Sequence, residues 1–165
     1  MSLSRLDERD VSILAILCRE GRLSNARLAE RVNLSATACW SRLQRLERSG
    51  IIRGYRAELA MEKVAAHIVV FVSVELESHT AASFQNFERA VETVDEIVAC
   101  WAVGGGVDYL LQVIATDIDA YQHLIETLLT GGLGISRYYT YIVTKPVKQS
   151  AEPPFRRLLA TPSDS

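Results

Sequence analysis

Residues 25–52, NARLAERVNLSATACWSRLQRLERSGII, constrain the chain more than any other stretch. Ser24 is placed to cap a short helix in which Leu28, Ala29 and Val32 share one face. Asn33 and Leu34 supply a tight turn. Ser35 caps a longer helix that runs to Ser49, and Gly50 follows where a helix end readily takes positive φ. On the longer helix Cys39, Leu43 and Leu46 recur at i, i+4 and i+7 and form an apolar seam. Thr37, Ala38, Ser41, Arg42 and Arg45 are assigned to the opposite side. Small residues near a helix start let the backbone approach base edges, and two arginines supply long donors for guanine or phosphate. This pattern predicts Ser35, Thr37, Ala38, Ser41, Arg42 and Arg45 as DNA-reading residues. It also predicts that removing Arg42 or Arg45 leaves folding untouched, since both are read as pointing away from the seam.

Surface helices carry arginines for solubility alone, so the helix needs support from its surroundings. Charge provides it. The chain has a net charge of -2, but residues 1–56 carry 11 Arg against 6 Asp and Glu, a surplus of +5, while the remainder carries -7. A basic front and an acidic back suggest two domains, of which the first meets phosphate. Asp7 can cap a first helix, with Asp10 three residues on, and Ile13, Leu14 and Leu17 form its stripe before Gly21 stops it. Residues 51–59 read as a short wing or linking strand. Arg27, Arg31, Arg53 and Arg56 are generic phosphate candidates. Trp40, between the two faces, is assigned to packing, with contact to the DNA backbone as the alternative.

The second half has another rhythm. Residues 67–77 begin apolar and end in alternation, as a strand does. Residues 81–94 carry Phe84, Phe87, Ala90, Val91 and Val94 on one helical face. Strands are expected at 97–103 and 109–115, joined by Gly104-Gly105-Gly106. A helix capped by Asp117 runs to Leu129 with Tyr121, Leu124, Ile125 and Leu128 inward, and a last strand spans 135–145. The order βαββαβ is that of a ferredoxin-like sandwich. The fold class is therefore α+β: a (winged) helix-turn-helix followed by that sandwich. The expected domains are 1–54 (DNA-binding helix-turn-helix), 55–64 (linking strand or hinge), 65–148 (effector binding and oligomerisation) and 149–165 (tail). The tail is rich in Pro, Ser and Ala and is expected to be partly disordered, with Phe155, Leu158 and Leu159 able to dock.

Cys18, Cys39 and Cys100 lack C-x-x-C spacing and read as buried thiols. The charged N-terminus and the lack of a long apolar run point to a cytoplasmic protein with no membrane partner. No nucleophile, Walker or metalloprotease pattern is present, so no catalytic residue, metal or cofactor is expected and the chain does not read as an enzyme.

LDERDVSILAIL (6–17), GRLSNARLAERVNLS (21–35), ATACWSRLQRLERSGII (36–52), GGVDYLLQV (105–113) and GISRYYTYIVTKPVK (134–148), in this order and spacing, resemble the leucine-responsive, or Lrp/AsnC, family of regulators. The resemblance covers about residues 4–148. It implies transcription control in response to amino acids or their relatives, and dimers joined into octamers. Trp40 departs from a frequent leucine, three glycines stand where one is usual, and Tyr138-Tyr139 replaces smaller polar residues. CWSRL and RGYRAEL are similar to members associated with catabolism of compatible solutes such as ectoine.

The resemblance makes the loop between the second and third strands an effector site. Gly105 and Gly106 expose backbone N–H groups for a carboxylate, Asp108 offers a partner for an ammonium, and Val107 and Tyr109 complete the loop. Tyr138 and Thr140 are the positions that the resemblance turns toward a neighbouring subunit's loop. Trp101 and Tyr121 are further lining candidates, with core packing equally open. A plain glycine hairpin is the competing account of 104–108. Three functions thus compete: a ligand-responsive regulator binding double-stranded DNA, an architectural DNA-binding protein whose C-terminal domain only oligomerises, and an enzyme or carrier on the same sandwich.

Overall fold

The computed structural model describes residues 6–149 and 152–159. The chain divides into two compact units, residues 1–58 with 148–165, and residues 59–147.

In the first unit α1 spans Glu8–Glu20, α2 Asn25–Arg31 and α3 Ala36–Arg48. Their starts are fixed by side-chain caps. Asp7 accepts from the Asp10 N–H while the Asp10 carboxylate accepts from the Asp7 N–H, a reciprocal capping box. Ser24 and Ser35 accept from the Arg27 and Ala38 N–H groups. Between α2 and α3, Asn33 adopts φ +52°, a conformation asparagine tolerates better than most residues. The Asn25 amide donates to the Ala36 carbonyl at 2.8 Å and ties the two helix starts together.

Ile13, Leu14, Leu28, Ala29, Val32, Cys39 and Leu46 are buried where the three helices meet, as the apolar spacing requires. Full burial of one such Leu or Ile stabilises the unit by roughly 1.5–3 kcal/mol. A helical turn at Phe155–Leu158 also belongs to this unit, and Phe155 packs against its core. Leu158 and Leu159 stay exposed. The expected disorder of the tail falls partly on residues 150–151 and 160–165, outside the described residues.

Residues 51–60 contain no strand; Met61–Lys63 form one 3-10 turn. The expected wing or linking strand forms no ladder with any of the described residues.

The second unit runs β1 Ile68–Leu76, α4 Ala81–Val91, β2 Ile97–Ala102, β3 Tyr109–Ala115, α5 Ile118–Thr130 and β4 Ile135–Ile142. The order is the βαββαβ read from the sequence, with the ends of α4, β2 and β4 each one to three residues earlier. The sheet order is β2-β3-β1-β4, antiparallel throughout. Alternation decides the faces. Val70, Val72, Val74 and Leu76 of β1 and Tyr109, Leu111, Val113 and Ala115 of β3 are buried in one core with Phe87, Val91, Tyr121, Ile125 and Leu128 of the helices. Both helices therefore cover one face of the sheet.

Candidate DNA and effector surfaces

The α3 seam sorts its side chains. Cys39 and Leu46 are fully buried, and Thr37, Trp40, Ser41, Arg45 and Arg48 are exposed. Trp40, Ser41, Gln44, Arg45, Arg48 and Ser49 line one shallow concavity. Asp7, Asp10, Ala38, Ser41, Arg42 and Arg45 line a second on the other side of Ser41. Of the six expected DNA-reading residues, Thr37, Ser41 and Arg45 face outward. Ser35 is exposed, and its hydroxyl oxygen already accepts the Ala38 N–H at 3.2 Å. Ala38 and Arg42 are half-buried, a correction to their placement on the open face. Arg42 precedes Leu43 and lies four residues before Leu46, so helical geometry puts it at the border of the seam, against α1.

That border is occupied by Asp10, only 1% exposed. Its Oδ1 accepts from Arg42 Nη1 at 2.9 Å, and its Oδ2 from Arg45 Nη2 at 2.6 Å and from the Asp7 N–H at 3.1 Å. Arg42 Nη1 also donates to Asp7 Oδ2 at 2.5 Å. The Asp10 N–H, helped by the Arg42 guanidinium, holds the Asp7 carboxyl below its ordinary range. The two carboxylates raise the Arg42 pKa in turn. The premise that Arg42 and Arg45 take no part in the helix packing is thus overturned: both pair with a buried carboxylate. Trp40 is 53% exposed rather than packed away. Near the end of α3, Tyr55 donates to Glu47 at 2.8 Å, and burial followed by that contact pushes its pKa to about 12.

In the second unit, residues 103–108 connect β2 and β3. Gly104, Gly105 and Gly106 are exposed, and Gly105 has φ +137°, which only glycine adopts freely. Beyond the adjoining residues, no atom lies within 4 Å of where a Cβ would stand on any of the three. Asp108 anchors the loop. Its N–H donates to the Val74 carbonyl at 2.9 Å, its Oδ2 accepts the Leu76 N–H at 2.8 Å, and its Oδ1 lies 3.1 Å from His79 Nε2. Both carboxylate oxygens are therefore engaged, one of them with an exposed histidine. Tyr109 is a correction. Its ring is 2% exposed, 4.6 Å from that of Phe87, and its hydroxyl donates to Glu88 at 2.9 Å. Strand alternation turns it into the helix-side core, away from the open loop. Burial, then the Glu88 contact, raises its pKa.

Tyr138 pairs with Val74 and Thr140 with Val72, so both point to the helix side of the edge strand β4. Thr140 Oγ1 and the Tyr121 hydroxyl are 2.5 Å apart. Tyr121 itself is buried. The opposite side of the sheet is uncovered by any helix of its unit. Phe71, Ser73, Leu110, Tyr139 and Tyr141 lie there with Trp101, whose β3 partner is Leu110. Trp101, Tyr139 and Tyr141 are 46%, 48% and 57% exposed.

Comparison with known proteins matches residues 69–153 to the Lrp/AsnC ligand-binding domain and residues 6–53 to a winged helix-turn-helix DNA-binding domain. The chain belongs to the Lrp/AsnC family. It is 49% identical over 145 residues to the transcriptional regulatory protein DoeX of Halomonas elongata, covering 88% of this chain and 92% of that one. It is 41% identical over 145 residues to the leucine-responsive regulatory protein of Escherichia coli, covering 88% of each. A transcriptional regulator of Neisseria meningitidis, solved in complex with L-methionine, superimposes with a TM-score of 0.87 at 34% identity, over 93% of this chain and 99% of that one. An AsnC-family regulator from Agrobacterium tumefaciens gives 0.86 at 33% identity over the same shares.

This Lrp/AsnC protein is accordingly a DNA-binding transcriptional regulator with a ligand-binding domain. Among the described residues no helix is long and apolar enough to cross a membrane. Two features of the regulator escaped sequence reasoning. Arg48 shares the outward face of α3 but sits beyond the small-residue start that guided the choice. Asp10 was read as a cap alone; the Asp in LDERD and the arginines in SRLQRLER are 32 and 35 residues apart, and only the crossing of α1 with α3 joins them.

Proposed function

We propose that α3 reads the major groove through Thr37, Ser41 and Arg45, with Ser35 and Ala38 at its start close to the backbone of the duplex and Arg42 steadying the edge. The chain acts as a regulator, not an enzyme, in the cytoplasm. The observation that carries it is the partition of α3: one face buried in a three-helix core, the other a polar and basic surface.

The effector is a small amino acid or an amino-acid derivative. Gly105, Gly106 and Val107 present N–H groups to its carboxylate, and Asp108 takes its ammonium in place of His79. Tyr138 and Thr140 of a neighbouring copy close the site. The L-methionine bound to the Neisseria relative supports this class, and the likeness of CWSRL and RGYRAEL to regulators of compatible-solute catabolism favours an operon of that kind. The apolar sheet face with Trp101, Tyr139 and Tyr141 pairs with a second copy, the first step toward an octamer; exposed apolar patches mark such contacts.

The test is selection of a binding site from random duplexes, followed by anisotropy titrations with and without an amino-acid panel that includes ectoine-derived diamino acids. The reading expects a selected sequence and an affinity that moves with at least one zwitterion. A sequence bound equally with every ligand would favour the architectural role; no selected sequence would refute the α3 assignment.

A further inference from the structure

The contact between Asp10 and the α3 arginines does more than hold two helices together. Each guanidinium carries five N–H donors in a rigid plane. The contacts to Asp10 and Asp7 engage only Nη1 of Arg42 and only Nη2 of Arg45. The side chain of Arg45 remains 44% exposed and borders both concavities on either side of Ser41. It is thus pinned at one corner by a buried carboxylate while its Nε and other Nη make no hydrogen bond among the described residues. Arg48, on the same face, has no ion pair among the described residues and is exposed.

We infer that Asp10 is a positioning residue for sequence readout: it holds Arg45, steadied by Arg42, in the orientation that reads a base. This rests on the assignment of α3 to the major groove. The physical reason is entropic and electrostatic. A free arginine loses much rotamer freedom when a duplex orders it, whereas one already pinned loses less. The carboxylate also offsets the charge of Arg45, so its pull on phosphate in any sequence weakens while its directional hydrogen bonds remain. Arg48, uncompensated, supplies the sequence-independent part. Asp10 therefore acts on the ratio of specific to non-specific affinity rather than on overall affinity.

The experiment uses the full chain and the duplex obtained by selection. Dissociation constants for that duplex and for a scrambled one are measured for wild type, Asp10→Asn, Arg45→Ala and the double variant, with melting temperatures to confirm folding. Losing one well-held base contact should cut the specificity ratio about tenfold. Asp10→Asn is expected to lose that factor while its affinity for scrambled DNA holds or rises, because the Arg45 charge is no longer offset. The double variant should match Arg45→Ala, because Asp10 acts through Arg45. An unchanged ratio in Asp10→Asn, or losses that multiply in the double variant, overturns the inference and leaves Asp10 a structural clamp. If Asp10→Asn does not fold, Asp10→Glu keeps the charge and shifts the carboxylate by one methylene. It should lower the ratio too, and a wild-type ratio there overturns the proposal. Failure of the wild type to select any sequence refutes the underlying α3 assignment instead, a distinct result.

Discussion

Arg42→Ala should destabilise the DNA-binding unit although the residue borders its surface. The substitution removes the Arg42 contacts to Asp10 at 2.9 Å and Asp7 at 2.5 Å. Breaking a fully buried pair costs about 3–5 kcal/mol, because one charge is left without its partner. Two facts lower that figure here. Asp10 keeps Arg45 and the Asp7 N–H, and the Arg42 side chain is 29% exposed, so water reaches the site. Loss of a charge-assisted hydrogen bond, about 1.5–3 kcal/mol, is the better measure, and ~2 kcal/mol is the expected cost. For a unit of this size that lowers the melting temperature by about 8–16 °C. Arg45→Ala removes a single contact from a more exposed side chain and should cost about half as much. The assay is thermal and urea unfolding followed by the fluorescence of Trp40 in a Trp101→Phe background, so that the signal reports the unit containing α3. A melting temperature within 2 °C of wild type would refute the clamp and restore the simpler view of two free surface arginines.

Acid should weaken the same unit. The folded pKa of Asp7 lies below its ordinary 3.8, so its stabilisation is present above about pH 4 and is lost as pH falls through the folded value; a pH series on wild type and Asp7→Asn should converge at the acid end. Asp108→Ala frees the Leu76 N–H and His79, and should abolish the ligand response while basal DNA binding, measured by anisotropy, stays near normal. Tyr109→Phe keeps the ring against Phe87 and removes one hydrogen bond, so it should cost about 0.5–1.5 kcal/mol and leave ligand titrations unchanged. Trp101→Asp places a charge on the open sheet face and should shift the light-scattering mass toward the monomer, with helical circular dichroism retained.

Much of the architecture is local in origin and hence legible in the chain. Asp7, Ser24, Ser35 and Asp117 cap the helices they were expected to cap, because an N-cap needs only a side-chain oxygen and a free N–H two or three residues on. The triple glycine between β2 and β3 likewise announces its own loop. Strand ends are less well written. β4 stops at Ile142 although Lys145 extends the same pattern, since its pairing ends at Val70 while β1 continues to Ile68 against β3 alone.

The candidate sites divide along the same line. The small and polar start of α3 is a property of sequence, and Thr37 and Ser41 face outward as the spacing requires. Tyr109 was misread because its neighbours form a glycine loop, whereas its direction is set by the register with Val74, which turns it into the core. Arg42 was misread because a helical wheel has no knowledge of α1. Helix starts, seams and the βαββαβ order follow from interactions within a few residues, and the sequence alone determined them. The burial of Asp10 between two arginines, the inward turn of Tyr109 and the uncovered face of the sheet depend on side chains far apart in the chain. Those were decided by tertiary packing, where each residue's surroundings come from elements whose approach no local pattern encodes.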